Sequence, residues 1–165
     1  MATELELNLI RRIAMGDTLR RRARDRGSRE AIVEFSAGER RALTFAEFNA
    51  RVNQWVRGLR ARGLRQGDRV ALLGGNTSEF LIALWGCFKG GFVAVPINFL
   101  QNPDDVGYNI HHSGARAAFA DDRLHPLVDG VTADLGGLVR GTLAGAGSAR
   151  YPAFAAFLAG QDAAE

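Results

Sequence analysis

TFAEFNARVNQWVRGLRARGLRQGDRVALLGGNTSEFLIALWGCFKGGFVAVPIN, residues 44–98, reads as two helices alternating with two buried strands. Thr44-Phe45-Ala46-Glu47 is a capping box, in which the Thr hydroxyl accepts from the Glu47 amide and the Glu carboxylate reaches back to the Thr44 amide. Phe45, Phe48, Val52, Trp55, Val56 and Leu59 follow at helical spacing and form one apolar stripe; Arg51, Gln54, Arg57 and Arg60 fall largely outside it. The spacing predicts a surface helix that ends near Gly63. Val70–Leu73 is continuously apolar between Gly67-Asp68 and Gly74-Gly75, the pattern of a strand covered on both faces of a parallel sheet. Asn76 is expected to cap a second helix, Ser78 to Phe88, which is apolar almost all round and so belongs inside a larger body. Phe92–Val95 is the next buried strand, and Pro96 takes the chain out of the sheet.

Downstream, Asn102-Pro103-Asp104-Asp105 signals another helix start, with Pro in the first turn beside two acids. That helix closes at Ser113-Gly114, and Ala117–Ala120 is a third strand stopped by Asp121-Asp122. The order βαβαβ implies parallel strands joined by right-handed crossovers. After Arg123 the pattern weakens, leaving a strand at Leu138–Leu143 and a short helix at Tyr151–Leu158. Upstream, a helical region spans Asn8 to Arg26, broken at Gly16-Asp17, with Asp17 capping its second half and Gly27 ending it. Ala31–Phe35 and Arg41–Thr44 flank Ser36-Ala37-Gly38-Glu39 as a small hairpin. The expected fold is α/β, a three-layer parallel βαβαβ core flanked by helices, with a small N-terminal β-hairpin.

Composition agrees with one globular domain: 165 residues, 47% hydrophobic and 24% charged. No apolar run approaches the ~20 residues that span a bilayer, and the start, MATELELNLIRRIAMGD, lacks the form of a signal peptide. A single cysteine, Cys87, excludes an internal disulfide framework and fits a cytoplasmic location. Residues 1–69 hold 16 Arg against 9 acids, whereas residues 70–165 hold 5 bases against 9 acids. The clusters Arg20-Arg21-Arg22 and Arg24/Arg26 lack interleaved aromatics, so they read as solvated helix faces and no nucleic-acid partner is expected.

Several of these segments, in order and at matching separations, resemble the N-terminal region of the adenylate-forming (AMP-binding) synthetases, the superfamily of acyl-CoA synthetases and fatty-acid–CoA ligases. Leu43-Thr44-Phe45-Ala46-Glu47 is similar to the family's start of its second helix. Gly63-Leu64-Arg65-Gln66-Gly67-Asp68-Arg69-Val70-Ala71 is similar to its Gly-Asp-Arg-Val turn and strand. Asn76 with Glu79-Phe80, Lys89-Gly90-Gly91, Val95-Pro96-Ile97-Asn98 and Pro103 through Ser113-Gly114 complete the match. Gly91 departs from the usual Ala, and Gly74-Gly75 from other small residues or Pro. The likeness is good over residues 15–125 and weak over 126–165, so the whole of 1–165 is expected to be one incomplete part of the large N-terminal domain.

The resemblance implies a parent enzyme that activates a carboxylic acid, a fatty acid being one candidate, with ATP and Mg²⁺ through an acyl-adenylate, then passes the acyl group to a thiol, commonly coenzyme A. The family's phosphate loop, a Gly/Ser/Thr-rich run ending in Lys-Gly, has no counterpart in this sequence. No catalytic, cofactor-binding or metal residue is therefore assigned, and the chain alone is expected to be inactive, binding no cofactor itself. Its expected partners are the remainder of the parent enzyme and, as in some members, a second copy. The alternative is a free-standing, non-catalytic interaction or dimerisation module.

Four features invite a sharper reading. Gly141–Ser148 resembles a phosphate loop but has no Walker lysine, and reads as a flexible connector. His111 and His112 are adjacent, so on a helix they diverge by ~100° and cannot chelate one metal; His125 is the third histidine. Cys87 sits in an apolar helix without a cationic neighbour at i±3 or i±4 and reads as a core residue. Asp121-Asp122 ends a strand where α/β sheets bind ligands, though turn residues are the plainer reading.

Overall fold

The computed structural model describes residues 15–36 and 38–165. Helix α1 (Met15–Arg26) is followed by a hairpin of β1 (Glu30–Ser36) and β2 (Glu39–Thr44) and by α2 (Phe45–Ala61). Then come β3 (Arg69–Leu73), α3 (Ser78–Gly90), β4 (Val93–Pro96), α4 (Pro103–Ser113) and β5 (Ala115–Ala120). A 3₁₀ turn (Asp122–Leu124) leads into α5 (His125–Val131), β6 (Val139–Thr142) and α6 (Phe154–Leu158). Strands β3 to β6 form one parallel sheet in the order β4-β3-β5-β6, and the hairpin stands apart as an antiparallel pair.

The alternation of side chains along a strand divides the core into two halves. Val70, Leu72, Ala117 and Phe119 pack with α1, α2, α3 and α6, whereas Ala71, Leu73, Ala118 and Ala120 pack with α4 and α5. Both faces of β3 and β5 are covered, which is why their sequences are apolar without alternation. On the first side Trp55 is fully buried, 5.3 Å from the Phe119 ring and 6.5 Å from Phe92. Gly86 of α3 makes room for it, since a Cβ there would lie 2.3 Å from Trp55 Cε3.

Local signals are realised where their chemistry is local. The Glu47 amide donates to Thr44 Oγ1 at 3.2 Å and the Thr44 amide to Glu47 Oε2 at 2.8 Å, closing the capping box. Gly63 follows the Arg62 cap at φ +87°. Asn102 Oδ1 accepts from the Asp105 amide at 2.9 Å, and α4 ends at Gly114.

Elsewhere packing overrides the sequence pattern. Gly16 and Asp17 lie in the first turn of α1 as described; Gly16 sits against α3, where a Cβ would come within 2.8 Å of Lys89 Cα. Asp17 pairs with Arg20 at 2.9 Å. The part of the expected helix from Asn8 to Ala14 lies outside the described residues. Thr77, not Asn76, caps α3, its Oγ1 accepting from the Phe80 amide at 3.2 Å. β4 is an edge strand with Val93 48% exposed, not a buried one, because no described strand pairs with its outer side. Nor is α3 buried all round: Ile82, Ala83, Gly86 and Cys87 are enclosed, while Leu81 is exposed and Trp85 half-buried. Their outward side lines an open groove of about 290 Å³ with Leu19, Ile32, Phe45 and Phe48. Helix α5 lies in the region without a clear sequence pattern, and α6 begins only at Phe154 because Tyr151 is drawn into the core.

Candidate functional site

From β3 the chain passes through α3 on one face of the sheet to β4; from β5 it passes through α5 on the other face to β6. The carboxyl ends of β3 and β5 are therefore the switch point at which open α/β sheets offer a ligand crevice. Here the crevice end is filled by the protein's own carboxylate. Asp121 is buried and its Oδ2 accepts from the Gly75 amide at 3.0 Å. Oδ1 lies beside Gly74, where a Cβ would come within 2.7 Å of it, and makes no hydrogen bond. The Arg123 guanidinium stands 3.9 Å from Oδ2 and 4.6 Å over the Phe99 ring. Asp121 thus ties the loop after β3 to the end of β5.

Asp122 performs the same service for the next loop. Its backbone amide donates to Ala144 O at 2.9 Å, and its Oδ1 accepts from the Gly147 amide at 3.1 Å. The segment Gly141–Ser148 is consequently not a flexible connector: Gly141-Thr142 belongs to β6, and the glycine turn after it is wrapped around a carboxylate. ATP phosphates do not fit this turn, because its donor amide is already given to an acid and a second anion would meet Asp122.

The histidines are dispersed. His111 Nε2 is 2.9 Å from Val131 O, and His112 stacks on Tyr108 with ring centroids 5.0 Å apart. His125 stacks on Tyr151 at 3.9 Å, its Nε2 lying 3.4 Å from Thr142 Oγ1 and 3.8 Å from Asp122 Oδ1. That arrangement has the residue types of a hydrolytic triad, but Thr142 is fully buried and its hydroxyl donates to Tyr151 O at 2.9 Å. The Tyr151 phenol donates to Asp129 Oδ1 at 2.8 Å and is pushed up to about 12, first by burial and then by that bond. Among the described residues no group of three His, Cys, Asp or Glu side chains is placed to hold a metal ion. Cys87 is fully enclosed, and burial pushes its thiol up to about 12.

A polar constellation that the sequence reading passed over lies on α2. Asn49 and Asn53 are both buried, one turn apart, and with Gln54 and Arg57 they meet the segment 161–165. Lys89, the only lysine, donates to Asn49 Oδ1 at 2.7 Å and to Glu165 Oε1 at 2.8 Å. The available signal was the pair of Asn residues four apart at the margin of the apolar stripe.

Comparison with known proteins places this architecture. A profile of the family described as AMP-binding enzyme matches residues 19–148. Long-chain-fatty-acid–CoA ligase FadD13 of Mycobacterium tuberculosis is 36% identical over 119 residues, which cover 72% of this chain and 23% of that protein. The fatty acid–[acyl-carrier-protein] ligase ScoC of Streptomyces coeruleorubidus is 36% identical over 91 residues, 55% of this chain and 18% of that one. The crystal structure of the N-terminal domain of FACL13 from Mycobacterium tuberculosis superimposes with a TM-score of 0.76 at 31% identity, covering 93% of this chain and 38% of that one. The chain spans about a fifth of the length of the curated relatives it matches.

Proposed function

The chain belongs to the AMP-binding enzyme family, and from that premise we propose that it is the N-terminal part of an ATP-dependent acyl-CoA synthetase, inactive by itself. In such an enzyme a carboxylic acid is activated as its acyl-adenylate with release of pyrophosphate, and a thiol then takes the acyl group. A fatty acid as substrate and coenzyme A as acceptor follow the fatty-acid–CoA ligase among the relatives, and the carrier-protein ligase supplies the contrasting acceptor. The observation that carries this assignment is the pairing of the family's sheet with a switch point closed by Asp121 and Asp122. The chain supplies a wall of the catalytic domain, and the phosphate-binding parts come from elsewhere in the parent. No described helix is long and apolar enough to cross a membrane, and we place the parent in the cytoplasm. Residues 1–165 act as one structural unit with the remainder of that enzyme as partner.

The test is acid-dependent exchange of labelled pyrophosphate into ATP, measured on the 165-residue chain and on the intact protein from its source. The expected result is exchange only by the intact protein, with a mass several times 17.8 kDa. Exchange by the short chain, free of contaminating activity, overturns the inactive assignment. An intact mass of 17.8 kDa favours the free-standing module instead.

A further inference from the structure

Residues 161–165 leave α6 and run over one side of α2. Four successive main-chain carbonyls of this segment are taken by side chains of that helix. Gln54 Nε2 donates to Gln161 O at 3.2 Å, Arg57 Nη1 to Asp162 O at 3.0 Å, Asn53 Nδ2 to Ala163 O at 2.8 Å, and Arg57 Nη1 again to Ala164 O at 2.6 Å. The Glu165 carboxylate then lies between Asn49 Nδ2 at 2.7 Å and Lys89 Nζ at 2.8 Å. Asn53 is 5% exposed and its amide has this segment as its hydrogen-bond partner. Within the segment Ala163 and Ala164 present only methyl groups, so recognition runs through the carbonyls and the Glu165 carboxylate, with the Asp162 carboxylate standing farther off, 3.9 Å from Arg57 Nη2.

We propose that Asn49, Asn53, Gln54 and Arg57 of α2, with Lys89 of α3, form a docking track for an extended, acid-bearing peptide segment, occupied in this chain by residues 161–165. Donors 49, 53 and 57 are one turn apart on a single side of the helix, so the track is rigid and directional. Carbonyls offer every extended segment the same acceptors, and the carboxylate at the Asn49–Lys89 end fixes which residue stands where. Arg57, Asn53 and Gln54 tie the segment by its backbone and Lys89 holds it by the Glu165 carboxylate, so the side chains of Ala163 and Ala164 are free.

The experiment places a nitroxide on Ala164→Cys in the full 165-residue chain; Ala164 is exposed, and enclosed Cys87 does not compete for the label. The expected spectrum contains an immobilised component. It is lost in the double variant Arg57→Gln/Lys89→Gln and retained when Ala163 is replaced by Ser, since the carbonyls are unchanged. A mobile label in the unsubstituted chain overturns the proposal, as does an immobilised one that survives the double substitution. Release by Ala163→Ser overturns backbone recognition. Should the double variant lose its cooperative melt, Glu165→Gln is read in its place: release supports the carboxylate grip, and retention overturns it.

Discussion

Gly86→Ala tests the packing around Trp55 most directly, because two opposing terms of known size act at one atom. In a helix interior the added methyl stabilises by about 1 kcal/mol relative to Gly. Against this, the new Cβ would stand 2.8 Å from Trp55 Cζ3 and 2.3 Å from Cε3, the latter over 1 Å inside ordinary contact. The indole has nowhere to retreat, being fully buried between Phe119 and Phe92. Overpacking of that kind costs about 3 kcal/mol at the upper end of its usual range, leaving a net loss of about 2 kcal/mol. Gly130 of α5 is exposed and a Cβ there meets nothing within 4 Å, so the same substitution stabilises by about 0.5 kcal/mol. Urea unfolding followed by far-UV circular dichroism measures both. In a chain of this size the Gly86 variant is expected to melt about 4–8 °C lower. A Gly86→Ala protein as stable as the parent refutes the reasoning, and so does a Trp55→Phe background that fails to reduce its cost.

Asp121→Ala removes the acceptor of the Gly75 amide and is expected to cost about 1–3 kcal/mol, with faster hydrogen exchange at Gly75; unchanged exchange there contradicts the tie. Cys87, held near 12 by burial, is expected to ignore Ellman's reagent at pH 8 in the folded chain and to react fully in urea; rapid native labelling shows the α3 packing to be wrong. The Glu47 carboxyl is held below its ordinary value by the Thr44 amide and then the Thr44 hydroxyl. Its cap contribution is therefore present above the usual Glu range near 4.3 and disappears as pH falls through the lower folded value. An NMR titration of Glu47 that does not move upward in Thr44→Ala speaks against the box. Phe35 (74% exposed) and Leu100 (81% exposed) leave apolar surface uncovered, and light scattering is expected to find self-association that Phe35→Ser/Leu100→Ser reduces; a monodisperse monomer at high concentration opposes it.

What could be read from sequence was whatever is decided within a turn or two of chain. The Thr44 box, the Asn102 cap, the Gly63 and Gly114 helix ends and the apolar β3 depend on neighbours three or four residues away or on burial averaged over a strand. Asn76 and Thr77 compete for the same cap one residue apart, a difference that the hydroxyl geometry decides and composition does not. The reason for Gly16 lies on α3, beside Lys89, where no local pattern could show it. The same holds for the crevice end: Asp121 reaches Gly75 across 46 residues, so turn chemistry and ligand chemistry look alike until the fold joins them. The track was invisible for a stronger form of that reason, since its α2 donors stand 105 to 116 residues from the carbonyls and carboxylate they hold. Of the four features singled out from sequence, Cys87 is enclosed as its apolar neighbours suggest, while the glycine segment gains its order from Asp122.

The strand order has a consequence for how the chain is made. β3 is the first of the four parallel strands to leave a ribosome, yet it occupies an inner position, so both of its edges wait for partners. β4 arrives 24 residues later by the Arg69–Val93 pairing, and β5 is complete only at Ala120. At about 5–20 residues per second, the stretch from Arg69 to Ala120 takes roughly 3–10 s to synthesise. Until β4 arrives both edges of Val70–Leu73 are bare, and until β5 is complete one edge remains so, the kind of apolar segment that seeks strands on neighbouring nascent chains. The hairpin and the Thr44 box, which need only adjacent residues, can form before it emerges and anchor α2 as a first shelter. Slowing elongation between residues 73 and 93 is therefore expected to raise the aggregated fraction, whereas slowing it after Ala120 leaves the yield unchanged.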